Sequence, residues 1–412
     1  GYNVAIGFDA GKAVSTGVQN IIMGGQTGDA LTSGSYNVAI GHAALSAEDA
    51  HGKNIAIGYN ALLVQNAGVD AYNLAIGYSV GDAISTGVRN TLVGGGHTGT
   101  ALTTGSYNVA VGYGALQTED AHGYNTAVGM QALNALNAGA NGYNVALGYQ
   151  AGFAMNTGVR NTVIGANAGD AMTTGVDSVA VGHNALGALT IGHNNVAIGK
   201  DALSTSVDGD YNVAVGYEAL KVYEDGDGNG FNTAIGARAM SATTTGEYNT
   251  SLGYDAQGQG TTTGDYNTSL GYHAGRQITS GIRNTLVGSN AGDNITVGRY
   301  NIAMGYHSLG DNLLTDFNVA IGYDALRDLV GDGSTNNQAT YNVGVGASAG
   351  AAVTSGLYNT LIGGLAGDAV TAGNYNVALG YGALGAEDAG SSNTAIGSLA
   401  LTAQDAGVVC RT

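Results

Sequence analysis

One pattern governs this chain. An Asn is followed four residues later by Gly, with a short apolar run between, in twenty-two places; a twenty-third copy opens with Ser178. The first copy is Asn3-Val4-Ala5-Ile6-Gly7 and the last is Asn393-Thr394-Ala395-Ile396-Gly397. Gly7 to Gly397 is 390 residues in 22 steps, so the mean period is about 17.7 residues, and most steps are 17. A unit this short cannot bury its own apolar face and must stack on its neighbours. The expected fold is all-β: a single-stranded parallel β-solenoid of about 23 coils of 17–18 residues. At the ~4.8 Å spacing of paired strands, that many coils extend about 110 Å. One continuous repeat domain is expected over residues 1–406, with 407–412 as an exit segment or the start of a further region.

Composition agrees. Of 412 residues, 72 are Gly and none is Pro, which excludes collagen, where a three-residue period and imino acids are required. Hydrophobic residues make up 44% and recur in phase, which excludes a disordered linker. Gly is read as the residue of tight corners. The formal charge is −18 with only 12 Lys and Arg, and these form no cluster, so no nucleic-acid surface is expected. No 18-residue apolar run exists, so no membrane insertion of this segment is expected. The single Cys410 can form no disulfide within the chain.

Taking the motif Asn as position zero, +1 is mostly Val or Thr, +3 is always Ile, Val, Leu or Met, and +2 is Ala in 15 of 23 coils. Strand alternation puts +1 and +3 on one face and Asn, +2 and Gly on the other. Hydrophobicity then assigns +1 and +3 to the interior and leaves the Ala column as a smooth outer face for a second solenoid. The Asn column (Asn3, Asn20, Asn37, Asn54, Asn73, Asn90, Asn108, Asn125, Asn144, Asn161 and onward) is expected to form an amide ladder between coils, with Ser178 as a hydroxyl break.

Of 24 Tyr, 13 precede the motif Asn and ten follow the motif Gly, so two aromatic columns are expected. They suit stacking at coil corners or at a subunit seam. The second column, with Tyr59, Tyr78, Tyr113 and Tyr149, is also a candidate saccharide contact. Arg89, Arg160 and Arg283 share the slot before Asn and are expected to bond groups of adjacent coils or chains. Blocks of about 71 residues recur: Glu48-Asp49-Ala50-His51-Gly52 returns at 119–123, where it reads as turn chemistry. The largest insertions, at 221–230 and 328–340, are expected to bulge without disturbing the stack.

Sites for chemistry are few. Asp225, Asp227 and Asn229 match the first half of an EF-hand loop, a weak Ca²⁺ candidate, but the twelfth position is Gly236 where a bidentate Glu belongs. Gly94, Gly96 and Gly99 fit GxGxxG without the flanking strand and helix that a phosphate cradle needs. The eight His show no zinc-ligand spacing along the sequence, and no nucleophile sits beside a base. No catalytic site and no cofactor are expected; near-identical coils leave no unique constellation for one.

The Asn-Val-Ala-Ile-Gly core resembles the Ser-Val-Ala-Ile-Gly repeat of YadA-like trimeric autotransporter adhesin heads. The fuller Tyr-Asn-Val-Ala-Ile-Gly-Tyr form with Thr-Thr-Gly spacers is similar to repeats in phage tail-fibre proteins. The likeness covers about residues 2–405. It implies a left-handed β-roll in a parallel homotrimer, located extracellularly on a virion tail fibre or a bacterial surface, with a cell-surface glycan or receptor as partner. The repeat here is somewhat longer than in adhesin heads, and the 412 residues carry no membrane anchor, coiled-coil stalk or chaperone domain of those proteins. The expected function is a structural and adhesive fibre shaft, foremost a phage tail-fibre segment for host attachment. A trimeric autotransporter-type adhesin is the alternative, and an ice-binding solenoid a further one, although acidic coils such as Glu119-Asp120 interrupt any flat Thr array. A polysaccharide lyase or hydrolase would need a carboxylate or Lys/Arg cluster on one face.

Overall fold

A computed structural model describes residues 1–224, 229–312, 314–333, 338–386 and 389–403. The chain divides into two compact units, Gly1–Asp208 and Gly209–Thr412. In the first, twelve three-residue strands run from Val4–Ile6 to Val196–Ile198, each paired in parallel with the next. In the second, eleven motif strands run from Val213–Val215 to Thr394–Ile396 with the same pairing. The described residues contain no helix, and so none that could cross a membrane. Each unit is a parallel β-solenoid.

Register follows the motif. Val145, Thr162 and Val179 are successive partners, as are Ala146, Val163 and Ala180. Insertions do not shift it: Val319 still pairs with Val343 across 24 residues. There the extra chain adds a small parallel ladder, Thr315–Asp316 with Gln338–Ala339. The insertion at 221–230 leaves the strand pair Val213 and Thr233 in phase.

Two corner positions explain the Gly and Tyr phases. In every coil but that of Gly94 the motif Gly adopts φ near +135° (Gly148 at +141°, Gly165 at +132°). A Cβ on Gly148 would lie 2.5 Å from the carbonyl oxygen of Gly165 one coil on, so backbone approaches backbone where any side chain would stand. The residue before Asn is left-handed in every coil after the first, as at Tyr107 (φ 62°), Arg160 (φ 60°) and Phe231 (φ 48°). A non-Gly residue pays for that conformation by roughly 1–2 kcal/mol, which aromatic stacking along the column offsets.

The interior reverses the sequence expectation. In every motif strand after the first, the +2 residue is buried and its neighbours are half-buried or exposed: Val145 is 39% exposed, Ala146 0% and Leu147 47%. The Ala column therefore lines the core, and the +1 and +3 columns face outward. The physical reason is the Asn. Its amide is satisfied by backbone inside the coil, and +2 shares its side of the strand. Position +8 (+9 at Gly99 in the longer coil of Leu92) lies on the other inner wall, and a large +2 never meets a large residue there; where both are small, as in Ala75 with Gly81 and Ala146 with Gly152, the buried Ile84 and Met155 pack beside the Gly. Ala39 and Ala56 face Leu45 and Leu62 in their own coils, whereas Ile22, Leu92, Leu286 and Leu361 occur with Gly28, Gly99, Gly292 and Gly367. A Cβ on Gly367 would come within 2.7 Å of Leu361. Close packing permits one large residue there, not two.

Candidate functional site

The Asn column is a side-chain-to-backbone ladder. Each Oδ1 accepts the backbone N–H of the next motif residue: Asn20 N–H to Asn3 (2.9 Å), then Asn37 to Asn20, Asn54 to Asn37, Asn73 to Asn54, Asn90 to Asn73 and Asn108 to Asn90. It continues through Asn125, Asn144 and Asn161. Most Nδ2 groups donate to a corner carbonyl fourteen residues on, as Asn3 does to Gly17 (2.8 Å) and Asn144 to Gly158 (2.9 Å). Ser178 keeps the acceptor role but donates elsewhere: its N–H reaches Asn161 Oδ1 at 3.0 Å, its Oγ accepts from Asn195 N–H at 3.2 Å, and the same hydroxyl donates to the Val176 carbonyl at 3.2 Å rather than to a carbonyl fourteen residues on. Apart from the exposed Asn3, these residues are buried and serve the stack.

The outward surface is built from −1, +1, +3 and +5, four side chains wide. The +1 and +3 columns hold only Val, Ile, Leu, Met and Thr in all 23 coils, with no charge. Tyr107, Tyr124 and Tyr143 stack at 4.9 and 5.0 Å on one side. In the second unit Tyr341, Tyr358 and Tyr375 do the same at 5.5 and 5.0 Å. Arg fills gaps in the same stack: the Arg89 guanidinium lies 5.9 Å from the Tyr72 ring and 5.3 Å from Tyr107, and Arg283 lies 5.4 Å from Tyr266 and 5.5 Å from Tyr300. These are cation–π spacings. Arg160 instead forms a two-pronged pair with Asp177 at 2.6 and 2.7 Å, which holds that exposed carboxyl below its usual range.

The candidate saccharide tyrosines are all exposed. Tyr59 is sandwiched between His42 (5.4 Å) and Tyr78 (5.1 Å), so neither of its faces is free for a sugar ring. Tyr113 meets His97 edge-on at 5.5 Å. Tyr149 lies in the same column position one block later. Tyr59 thus offers only its ring edge and hydroxyl.

Of the Ca²⁺ candidate, Asp225 and Asp227 lie outside the described residues, and Asn229 is bridged in parallel to Asp210. A column of carboxyls at +9 (Asp82, Asp170, Asp293, Asp368) is raised above the ordinary range by burial first of all. It lines a corner, and the charges of His97, His183 and His307 act in the opposite sense on Asp82, Asp170 and Asp293.

Sequence spacing alone missed one feature. The ligand atoms of Glu48, Asp49 and His51 lie within 4.8 Å of one another, and so do those of Glu119, Asp120 and His122. Both Glu side chains are fully buried, and burial raises the Glu48 carboxyl. The readable signal was the 71-residue recurrence of Glu-Asp-Ala-His-Gly.

Comparison of the chain with protein-family models gives no match, and a search of curated proteins gives none either.

Proposed function

We propose that the chain is a structural and adhesive fibre shaft that assembles through its outward strand face, as a parallel homotrimer, in a phage tail fibre for host attachment. The observation that supports this reading is the uncharged strip of +1 and +3 side chains. Across the first unit it runs eleven strand steps, about 53 Å at ~4.8 Å each, with roughly 500 Å² of apolar surface at ~10 Å width. A chain of net charge −18 that keeps one long strip free of charge has left that strip for a partner of the same kind. The stacked Tyr columns border the strip and suit a seam, with an apolar ring body and a polar hydroxyl edge. A bacterial surface adhesin would use the same face; sequence flanking this segment in its gene, an outer-membrane anchor or a fibre chaperone, separates the two.

Light scattering of the purified protein is expected to give three times the 40.8 kDa chain mass. Val179→Lys with Val196→Lys, two outward neighbours in adjacent coils, is expected to reduce that mass to one chain without loss of β circular dichroism. A monomer at all concentrations in the unsubstituted protein overturns the proposal.

A further inference from the structure

We propose that Glu48, Asp49 and His51 bind one divalent transition-metal ion of the Zn²⁺ type, and that Glu119, Asp120 and His122 bind a second. The inference does not depend on the fibre reading, since it concerns side chains within single coils.

The corner is built differently from its counterparts. Three residues before the motif Asn, most coils carry Gly, because a Cβ there would meet the next coil: on Gly17 it would lie 2.3 Å from the Gly34 carbonyl oxygen. His51 and His122 occupy that slot. Each is followed by a coil of 19 residues rather than 17, Asn54 to Asn73 and Asn125 to Asn144. The added residues bow away at Gly68 and Gly139, both left-handed with nothing within 4 Å of an added Cβ. They are pinned by Gly52 N–H to Asp70 and Gly123 N–H to Asn141. The longer coil makes room for an imidazole where others have none.

Beside that imidazole the chain buries a carboxylate. Glu48 and Glu119 take an inward position that is apolar in coils such as that of Leu31. Glu48 Oε1 accepts the His51 N–H at 3.1 Å, and Glu119 Oε1 the His122 N–H at 3.0 Å. In the first copy Glu48 Oε2 is buried without a hydrogen-bond partner, and Nδ1 of His51 and of His122 are likewise unpartnered, whereas Glu119 Oε2 accepts the Ala138 N–H at 3.3 Å. An unpartnered buried carboxylate oxygen is costly unless something positive meets it. In the second copy Nδ1 stands 3.3 Å from Glu119 Oε1. At a metal–ligand distance of ~2.1 Å that separation subtends about 104°, close to tetrahedral. In the first copy the separation is 3.9 Å, which at the same bond length subtends a wider angle of about 136°. Asp49 and Asp120 supply the third donor from the solvent side, leaving a fourth position for water. Two carboxylates with one imidazole suit Zn²⁺ and its first-row neighbours, whereas Ca²⁺ takes six to eight oxygens.

Equilibrium dialysis of the full chain against ZnCl₂, after stripping with chelator, is the test. Two Zn²⁺ per chain are expected, one for His51→Ala, and none for His51→Ala with His122→Ala. The double variant is expected to keep the circular dichroism and melting profile of the stripped parent. Fewer than two Zn²⁺ per parent chain, or one or more retained by a folded double variant, overturns the assignment. Co²⁺ gives a second readout: a visible band of tetrahedral intensity, halved by either single His→Ala variant, is expected, and a band that neither variant changes contradicts it.

Discussion

Replacing Asn144 by Ala is expected to destabilise the first unit by roughly 2–6 kcal/mol, because two buried backbone groups lose their partners at about 1–3 kcal/mol each. The Asn161 N–H loses Asn144 Oδ1 (2.9 Å), and the Gly158 carbonyl loses Asn144 Nδ2 (2.9 Å). Water cannot replace either, since the column is closed to solvent. Asn144→Ser should cost less, roughly 1–3 kcal/mol, since a hydroxyl can accept from the next coil as Ser178 does and only the carbonyl is orphaned. Urea denaturation followed by circular dichroism reads both. Equal tolerance of Ala and Ser, each within about 0.5 kcal/mol of the parent, would mean that the ladder does not hold the coils together.

Gly148→Ala is expected to be as damaging by a different route. The backbone sits at φ +141°, and the new Cβ would lie 2.5 Å from the oxygen and 2.7 Å from the carbon of the Gly165 carbonyl. Strain of about 1–3 kcal/mol adds to overpacking of similar size, so the loss is roughly 2–6 kcal/mol. The neighbour is backbone in a hydrogen-bonded strand pair and has nowhere to go. Gly139→Ala is the control: it too is left-handed, at φ +67°, but no atom lies within 4 Å of its added Cβ. Its cost should stay near 1–2 kcal/mol, the conformational part alone. Melting temperatures of the two variants should separate clearly; coincident values would remove close coil-to-coil approach as the reason for the Gly column.

The stack was legible because three residue types repeat in phase for separate physical reasons: Asn for the ladder, Gly for the close approach, and Tyr for a stackable side chain at a corner. Its polarity was not. Alternation separates +1 and +3 from +2 without saying which side is inside, and the larger apolar residues point the wrong way. The Asn held the answer, since a ladder satisfied by backbone must lie inside, and +2 shares its side. The pairing of Ala39 with Leu45 against Ile22 with Gly28 carries the same information, but only once the coil is closed and +8 is known to face +2. The inversion also moves the self-association argument from a row of Ala to a broader apolar strip. The Glu-Asp-His corners were visible as a repeated string. Their geometry was not, because it depends on a left-handed corner and on the length of the following coil.

The central claim is that each coil adds one parallel strand step along a common axis within a unit. Thr16, Thr86 and Thr157 are exposed and occupy one position in the first, fifth and ninth coils. Spin labels on Cys at these positions, with Cys410→Ser and dilution by unlabelled chain, report the separations by pulsed dipolar spectroscopy. At ~4.8 Å per coil, Thr16 to Thr86 and Thr86 to Thr157 should each measure about 19 Å, and Thr16 to Thr157 about 38 Å, apart from label length. A distance that doubles with coil number is the predicted result; three similar distances, or a longest pair shorter than the sum of the other two by a coil or more, would contradict the stack.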